Sequence, residues 1–329
     1  MNDIKLSIII PVYNGERYLK ACLESIYKDY ENIAFKFETL IIDDGSKDNS
    51  SIIYNEFVNK YSNIKCFCNS NHGVSYTRNY GISKSIGKYL LFVDCDDLLI
   101  DKWHEQLRLE DDFDYIYMSQ HFLKDISENE ELGKVISYIT TYNDENIRIS
   151  GPYSKLFKNS FIKDNHIEFD EKIINGEDLL FSLEATVKAK KYLLEKKSIY
   201  IVRHNKFSAT SNFNSNLIQS EINFNNRVKE ILEPYGLYSE FIEKYAFLTS
   251  IRAIALRLGS LEKMKVSRKY FNIVMNNSFY KNGLKKYKYD DNIKKYIFFI
   301  LFKFKLHSIA YLLGSYYNNK NNCDSMEYL

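Results

Sequence analysis

Tyr89-Leu90-Leu91-Phe92-Val93-Asp94-Cys95-Asp96-Asp97 is an apolar run of strand length that ends abruptly in three carboxylates. A continuous apolar stretch this short reads as a strand buried on both faces, as in a parallel sheet. Such sheets bind ligands beyond the carboxyl ends of their strands, where Asp94, Asp96 and Asp97 would stand together. Crowded carboxylates repel one another unless a proton or a cation intervenes. Hard divalent cations with oxygen ligands, Mg²⁺ or Mn²⁺, are the fitting partners. An Asp-rich turn capping a helix near Trp103 fits the same letters, and this stretch alone does not separate the two.

The residues before it repeat one pattern. Residues 6–10 form a short β-branched run stopped by Pro11, followed by helical spacing at Tyr18, Leu19, Cys22, Leu23 and Ile26. A second strand pattern over 37–42 ends at Asp43-Asp44-Gly45-Ser46 and gives way to Ile52, Ile53, Phe57, Val58 and Tyr61. Residues 64–68 predict a third strand, 73–85 a third helix and 89–93 a fourth strand. Strands alternating with helices at this spacing predict an α/β fold with a mostly parallel central sheet. Polar clusters fall at the same ends of these strands, which is the main argument for a site there.

Composition bounds the rest. The chain has 329 residues with 45 basic against 43 acidic ones, so no global field points to nucleic acid. Five cysteines lack zinc-ligand spacing, and their odd number disfavours a disulfide framework. The sequence enters a strand pattern without a signal-peptide pattern, and no apolar run reaches the roughly 20 residues of a membrane span. A cytoplasmic location, or one at the inner face of the cell membrane, is expected. The turn after the first strand is Pro-Val-Tyr-Asn-Gly, not Gly-x-Gly-x-x-Gly, and a Walker-type Gly-Lys-Ser/Thr is absent. Both observations argue against a dinucleotide or P-loop enzyme.

The stretches Ser7-Ile8-Ile9-Ile10-Pro11-Val12-Tyr13-Asn14, Ile42-Asp43-Asp44-Gly45-Ser46, Gly73-Val74-Ser75-Tyr76-Thr77-Arg78-Asn79-Tyr80-Gly81, Phe92-Val93-Asp94-Cys95-Asp96-Asp97 and Gly176-Glu177-Asp178 stand in that order. Together they resemble the ordered motifs of family 2 glycosyltransferases with the GT-A fold, a Rossmann-like nucleotide-diphospho-sugar transferase domain. The resemblance implies a nucleotide-sugar site made of Pro11, Tyr13, Asn14, Asp43, Asp44, Arg78, Asp94, Cys95 and Asp96. Tyr13 would stack on the base, Asp44 would accept the base's ring N–H, and Asp43 would shape the turn. Arg78 would contact phosphate or base. Mn²⁺ or Mg²⁺ would lie against Asp96 and Asp97, with His204 a further candidate ligand. Asp178 would be the general base, preferred over Glu177, and Lys155 and Glu177 would lie on the acceptor side.

Residues 98–109 predict a short helix around Trp103, 115–118 and 135–142 predict strands, and the acidic stretch 125–133 predicts an exposed loop. For Lys155, a phosphate contact and a surface position are both open. From Leu217 onward the apolar spacing is helical, so two domains are expected: a catalytic domain over 1–215 and a helical subdomain over 216–329. That subdomain would shape the acceptor side or a dimer contact. Lys285-Lys286-Tyr287-Lys288, leading into the run Lys294-Lys295-Tyr296-Ile297-Phe298-Phe299-Ile300-Leu301-Phe302-Lys303-Phe304-Lys305-Leu306, suggests an interfacial anchor on an anionic membrane, the alternative being a core helix with a solvated lysine face. The polar tail from Asn318 is expected to fray.

The expected function is inverting, metal-dependent transfer of a hexose or N-acetylhexosamine from a nucleotide sugar, a UDP-sugar first, to a glycan or lipid-linked acceptor. Capsule or lipopolysaccharide synthesis is the implied setting. A nucleotidyltransferase would share the nucleotide fold and the carboxylates, but it needs a Gly- and Arg-rich first loop that this chain lacks. A non-catalytic sugar-nucleotide-binding or scaffold subunit would bind without turnover.

Overall fold

The computed structural model describes residues 4–119, 151–204, 216–261, 263–287, 293–320 and 325–328. The strand expected over 135–142, the loop over 125–133 and the side chain of His204 lie outside the described part. The chain forms two compact units. One comprises Met1–Glu171, Glu177–Arg203 and Met326–Leu329, and the other Lys172–Gly176 and His204–Ser325.

The first unit is α/β. Its elements are β1 (Ile4–Val12), α1 (Leu19–Tyr27), β2 (Lys36–Asp43), α2 (Ser50–Lys60), β3 (Ile64–Cys68), α3 (Val74–Lys84), β4 (Tyr89–Phe92), β5 (Leu98–Leu99), β6 (Tyr115–Met118), β7 (Lys155–Lys158), α4 (Asn159–Asp164), α5 (Glu177–Lys188), β8 (Tyr192–Glu195) and β9 (Tyr200–His204). Seven strands make one sheet in the order β3-β2-β1-β4-β7-β6-β8. The pairs β1–β2, β1–β4, β2–β3 and β6–β8 are parallel, while β7 runs antiparallel to both of its neighbours.

The sheet is apolar on both faces because alternate residues serve different cores. Leu6, Ile8, Ile10 and Val12 pack on one face with Tyr89, Leu91 and Val93, whereas Ile9, Leu90 and Phe92 pack on the other. Each such side chain removed from water contributes roughly 1.5–3 kcal/mol, and the pattern leaves the polar letters only at the strand ends.

Three local expectations are corrected. Pro11 does not stop β1, which pairs with β2 as far as Val12↔Asp43. Ile9 accepts from Val93 N on the β4 side, and Val12 accepts from Asp44 N on the β2 side. By alternation Pro11 faces the β4 side beyond the end of β4, so its missing N–H costs no ladder bond. Residues 98–109 are not a helix: Leu98–Leu99 is a short strand paired with β9, and Trp103–Gln106 is a single 3₁₀ turn. The tail is not wholly frayed either, since Ser325–Tyr328 forms β10, next to β9 in a second, three-stranded sheet.

The second unit is helical: α6 (Leu217–Leu232), α7 (Glu240–Gly259), α8 (Met264–Asn276), α9 (Ser278–Lys286), α10 (Ile293–Lys303) and α11 (His307–Lys320). Helices α7 and α11 touch backbone to backbone, with Gly259 against Gly314 and Gly314 against Ala255, where a Cβ on either glycine would collide. The aromatics of α10 turn inward: Phe298, Phe299 and Phe302 are buried in this unit's core. The membrane anchor expected from those residues is therefore corrected to a core helix.

A buried carboxylate in this core supplies a pH signature. Glu221 is fully buried, Oε1 accepts from Asn175 Nδ2 at 3.0 Å, and Oε2 has no partner among the described residues. Burial raises its carboxyl from 4.5 to about 7. The unfolded chain releases this proton first as pH rises, so stability falls across that window and is not regained above it. Urea unfolding is expected to show wild type losing about 1–3 kcal/mol between those limits relative to Glu221→Gln. Parallel pH dependence of the two proteins would contradict this account.

Candidate active site

Four turns meet at the carboxyl ends of the parallel strands. After β1 the chain exposes Tyr13, with 49% of its surface in solvent, and then Asn14 at φ 50°. Asn14 is locked to the turn after β2: its N–H donates to Ser46 Oγ at 2.9 Å, and its Oδ1 accepts from Lys47 N at 2.9 Å. Gly15 N donates to Ser50 Oγ at 2.8 Å. Asn is among the few residues that tolerate this backbone region, and the two turns hold each other as one rigid corner.

Asp43 and Asp44 close β2. Asp43 accepts from Ser46 N at 2.8 Å and from Tyr54 Oη at 3.2 Å, so it does shape the turn. Asp44 accepts from His72 N at 2.8 Å and Gly73 N at 2.7 Å, capping the approach to α3. An acceptor role toward a base would have to use the second lone pair of an oxygen already occupied. Gly73 sits at φ 94°, which a side chain would oppose.

The carboxylates after β4 come together as expected. Oxygens of Asp94, Asp96 and Asp97 lie within 4.8 Å of one another. Asp97 is buried, and its oxygens accept from Tyr200 Oη at 2.9 Å and Arg203 N at 2.8 Å. Burial, then the Asp96 and Asp94 carboxylates, push its carboxyl well above the usual range. The same Tyr200 hydroxyl accepts from Asp94 N at 3.0 Å, and Arg203 Nε donates to the Asp96 carbonyl. Tyr200 and Arg203 thus pin the acidic turn, and the sequence reading did not single them out. They lie in a strand-like run from which only His204 was put forward; the partnership is set by the β5–β9 pairing, about a hundred residues apart in the chain.

Three carboxylates drawn this close, with Arg78 the cation on Asp94, fit a hard divalent ion. Asp94 and Asp96, half-buried at the mouth, are the residues that would hold it with Asp97. Cys95 packs against the apolar core, and burial raises its thiol above the usual range.

Arg78 is not a free phosphate contact. It is buried, with Nη2 donating to Asp94 Oδ1 at 2.8 Å and Nη1 to Glu177 Oε1 at 3.3 Å. Burial alone would lower its pKa, but the Asp94 and Glu177 carboxylates hold it firmly charged. The guanidinium also stands 5.2 Å from the Phe169 ring. Helix α5 opens with Glu177 and Asp178, where the helix dipole favours acids. Burial, then Asp178, raise the Glu177 carboxyl to about 7. Asp178 Oδ1 accepts from Leu179 N at 2.7 Å, and no side chain among the described residues bonds its Oδ2.

Lys155 is not a surface lysine. It is fully buried in β7, donates to the Gly151 carbonyl, and lies 4.1 Å from the Tyr117 ring. Burial lowers its pKa to about 7, partly opposed by the Asp178 carboxylate. A lysine held this way reaches α5 electrostatically and presents no ammonium to solvent.

The family model for glycosyl transferase family 2 matches residues 7–166, the stretch that builds all of these turns except the opening of α5 and β9. This region, just under half of the chain, is similar to glycosyl transferase family 2. The poly(ribitol-phosphate) beta-glucosyltransferase of Bacillus spizizenii is 32% identical over 201 residues, covering 57% of this chain and 30% of that protein. The cholesterol galactosyltransferase of Borreliella burgdorferi is 26% identical over 302 residues, covering 82% of each. Seven curated relatives, the Bacillus protein among them, are spanned over only 15–42% of their own length. Among solved structures, S. aureus TarS 1-349 matches with a TM-score of 0.51 at 19% identity, over 97% of this chain and 88% of that one. The mannosyltransferase PcManGT from Pyrobaculum calidifontis matches at 0.50 and 11% identity, over 92% and 86%. At such identities it is the family's GT-A fold that is shared.

Proposed function

We propose that the chain is a glycosyltransferase that moves a sugar from a nucleotide sugar, a UDP-sugar first, to a hydroxyl of a glycan or lipid-linked acceptor, with inversion and with Mn²⁺ or Mg²⁺. The observation that carries this reading is the convergence of Asp94, Asp96 and Asp97 at the strand ends, beside exposed Tyr13. Neighbours of the same fold include TarS in complex with UDP-GlcNAc and PcManGT in complex with GDP-Man and Mn²⁺, which supports a nucleotide sugar as donor. The Bacillus and Borreliella relatives, named for a polymer and a lipid acceptor, support a glycan or lipid as the acceptor.

In this reading Tyr13 offers its face to the base, and Asn14, Asp43 and Asp44 fix the corner that receives the nucleoside. A bound divalent cation would neutralise the diphosphate and so favour its departure. Arg78 holds Asp94 in place and keeps Glu177 next to it. Asp178 Oδ2 takes the proton of the acceptor hydroxyl while that oxygen bonds to the anomeric carbon and the carbon–diphosphate bond breaks. The developing charge on the sugar ring is oxocarbenium-like, as in glycoside hydrolysis. A panel of UDP-, GDP-, dTDP- and CDP-sugars tests the proposal by release of nucleoside diphosphate. Release from one donor class that requires metal supports it, and inertness of the whole panel with nucleotides left unbound overturns it.

A further inference from the structure

The second unit carries a charge pattern that sugar transfer does not use. Between Lys263 and Lys320 the sequence has thirteen lysines and arginines against two aspartates. Three of these cations converge on one cavity of about 520 Å³: Arg268 from α8, Lys281 from α9 and Lys305 from the turn before α11. No carboxylate among the described residues lines it. No ion pair or side-chain hydrogen bond engages the three cations among the described residues.

The N-terminus of α11 opens into the same cavity through His307, Ser308 and Ile309. Its first helical bond is Ala310 N to Leu306 O at 3.0 Å, so the preceding N–H groups have no acceptor within the helix. Oriented N–H groups and the dipole make such an end attractive to anions. His307 gives an independent sign of a missing ligand. It is 5% exposed and lines the cavity, yet its Nδ1 has no partner. Its Nε2 is 3.0 Å from Ser267 Oγ; with the hydroxyl donating there, Nδ1 carries the ring proton and lacks an acceptor.

An apolar rim begins with Leu306 and Ile309, which line the cavity; they and Phe304, Leu312 and Tyr316, near them in the turn and in α11, are 41–60% exposed. Ile309, Leu312 and Tyr316 share one face of α11 at helical spacing. A soluble phosphate has no use for such a rim, whereas a lipid does. No helix of the described residues is long and apolar enough to cross a membrane, so this face would lie on a bilayer.

We propose that the Arg268–Lys281–Lys305 cavity at the N-terminus of α11 binds the phosphate of an acidic phospholipid, with Phe304, Leu306, Ile309 and Leu312 entering the headgroup–acyl boundary. The residues differ from the buried aromatics of α10, and the inference stands independently of the transfer reaction. The test is co-sedimentation of the full chain with vesicles of phosphatidylcholine alone and of phosphatidylcholine mixed with phosphatidylglycerol. Capture by the mixed vesicles is expected, falling about tenfold in Arg268→Glu/Lys281→Glu and falling also in Leu312→Glu, with unfolding midpoints of all proteins compared. Equal capture of wild type and stably folded variants, or capture indifferent to phosphatidylglycerol, would overturn the proposal. Binding of inorganic phosphate or polyphosphate without vesicle capture would assign the cavity to a soluble anion and overturn it as well.

Discussion

Asp178→Asn is expected to lower the transfer rate by about 10³-fold while leaving nucleotide affinity within a factor of about two. The isosteric amide keeps the bond from Leu179 N and the opening of α5, so the fold has no reason to change. What it loses is the capacity of Oδ2 to accept a proton from the attacking hydroxyl. Glu177→Gln should cost much less. Glu177 is committed to Arg78 at 3.3 Å, and its carboxyl is raised to about 7, so near neutrality it is often protonated and a poor acceptor. Initial rates of sugar transfer by the two variants, alongside calorimetric nucleotide titrations, decide between the carboxylates. A larger loss at Glu177 would reverse the assignment.

Arg78→Met should be the most damaging single change to stability in the first unit, by about 3–5 kcal/mol, because it strands two acids around a buried position. Asp94 would lose its 2.8 Å partner, and Glu177 the cation that pairs with it among the described residues. The acidic turn would then reorient, and nucleotide affinity in the presence of Mn²⁺ should fall with it. Arg78→Lys should rescue little, since one ammonium cannot span both carboxylates as the planar fork does. Denaturant unfolding of wild type and both variants checks the ordering. A methionine variant as stable as wild type would show that the bridge is dispensable.

Much of this was legible in the sequence because the first unit obeys local rules. The alternation of β1 to β4 with α1 to α3 follows from apolar period and turn letters, and the acids left over at the strand ends fall where a parallel sheet places its ligands. What stayed hidden depends on pairing across long separations. Lys155 was expected at a phosphate or at the surface, accessible either way as lysines usually are; its burial follows from β7 inserting antiparallel between β4 and β6. Arg78 was read as a ligand contact because nothing local shows that Glu177, ninety-nine residues on, reaches it. Tyr200 and Arg203 gained their roles from the β5–β9 register. In α10 the letters suit a membrane and a core equally well, and only the neighbouring helices decide.

The most direct test of a metal-assisted nucleotide-sugar site is UDP binding by calorimetry, with Mn²⁺ and then with EDTA, for wild type and Asp96→Ala. Tight binding that requires the metal, and that the variant loses by about 10-fold or more, is the predicted result. Equal binding with and without metal, or no binding of any nucleoside diphosphate, would contradict the account and leave the acidic turn after β4 as structure held by Tyr200 and Arg203.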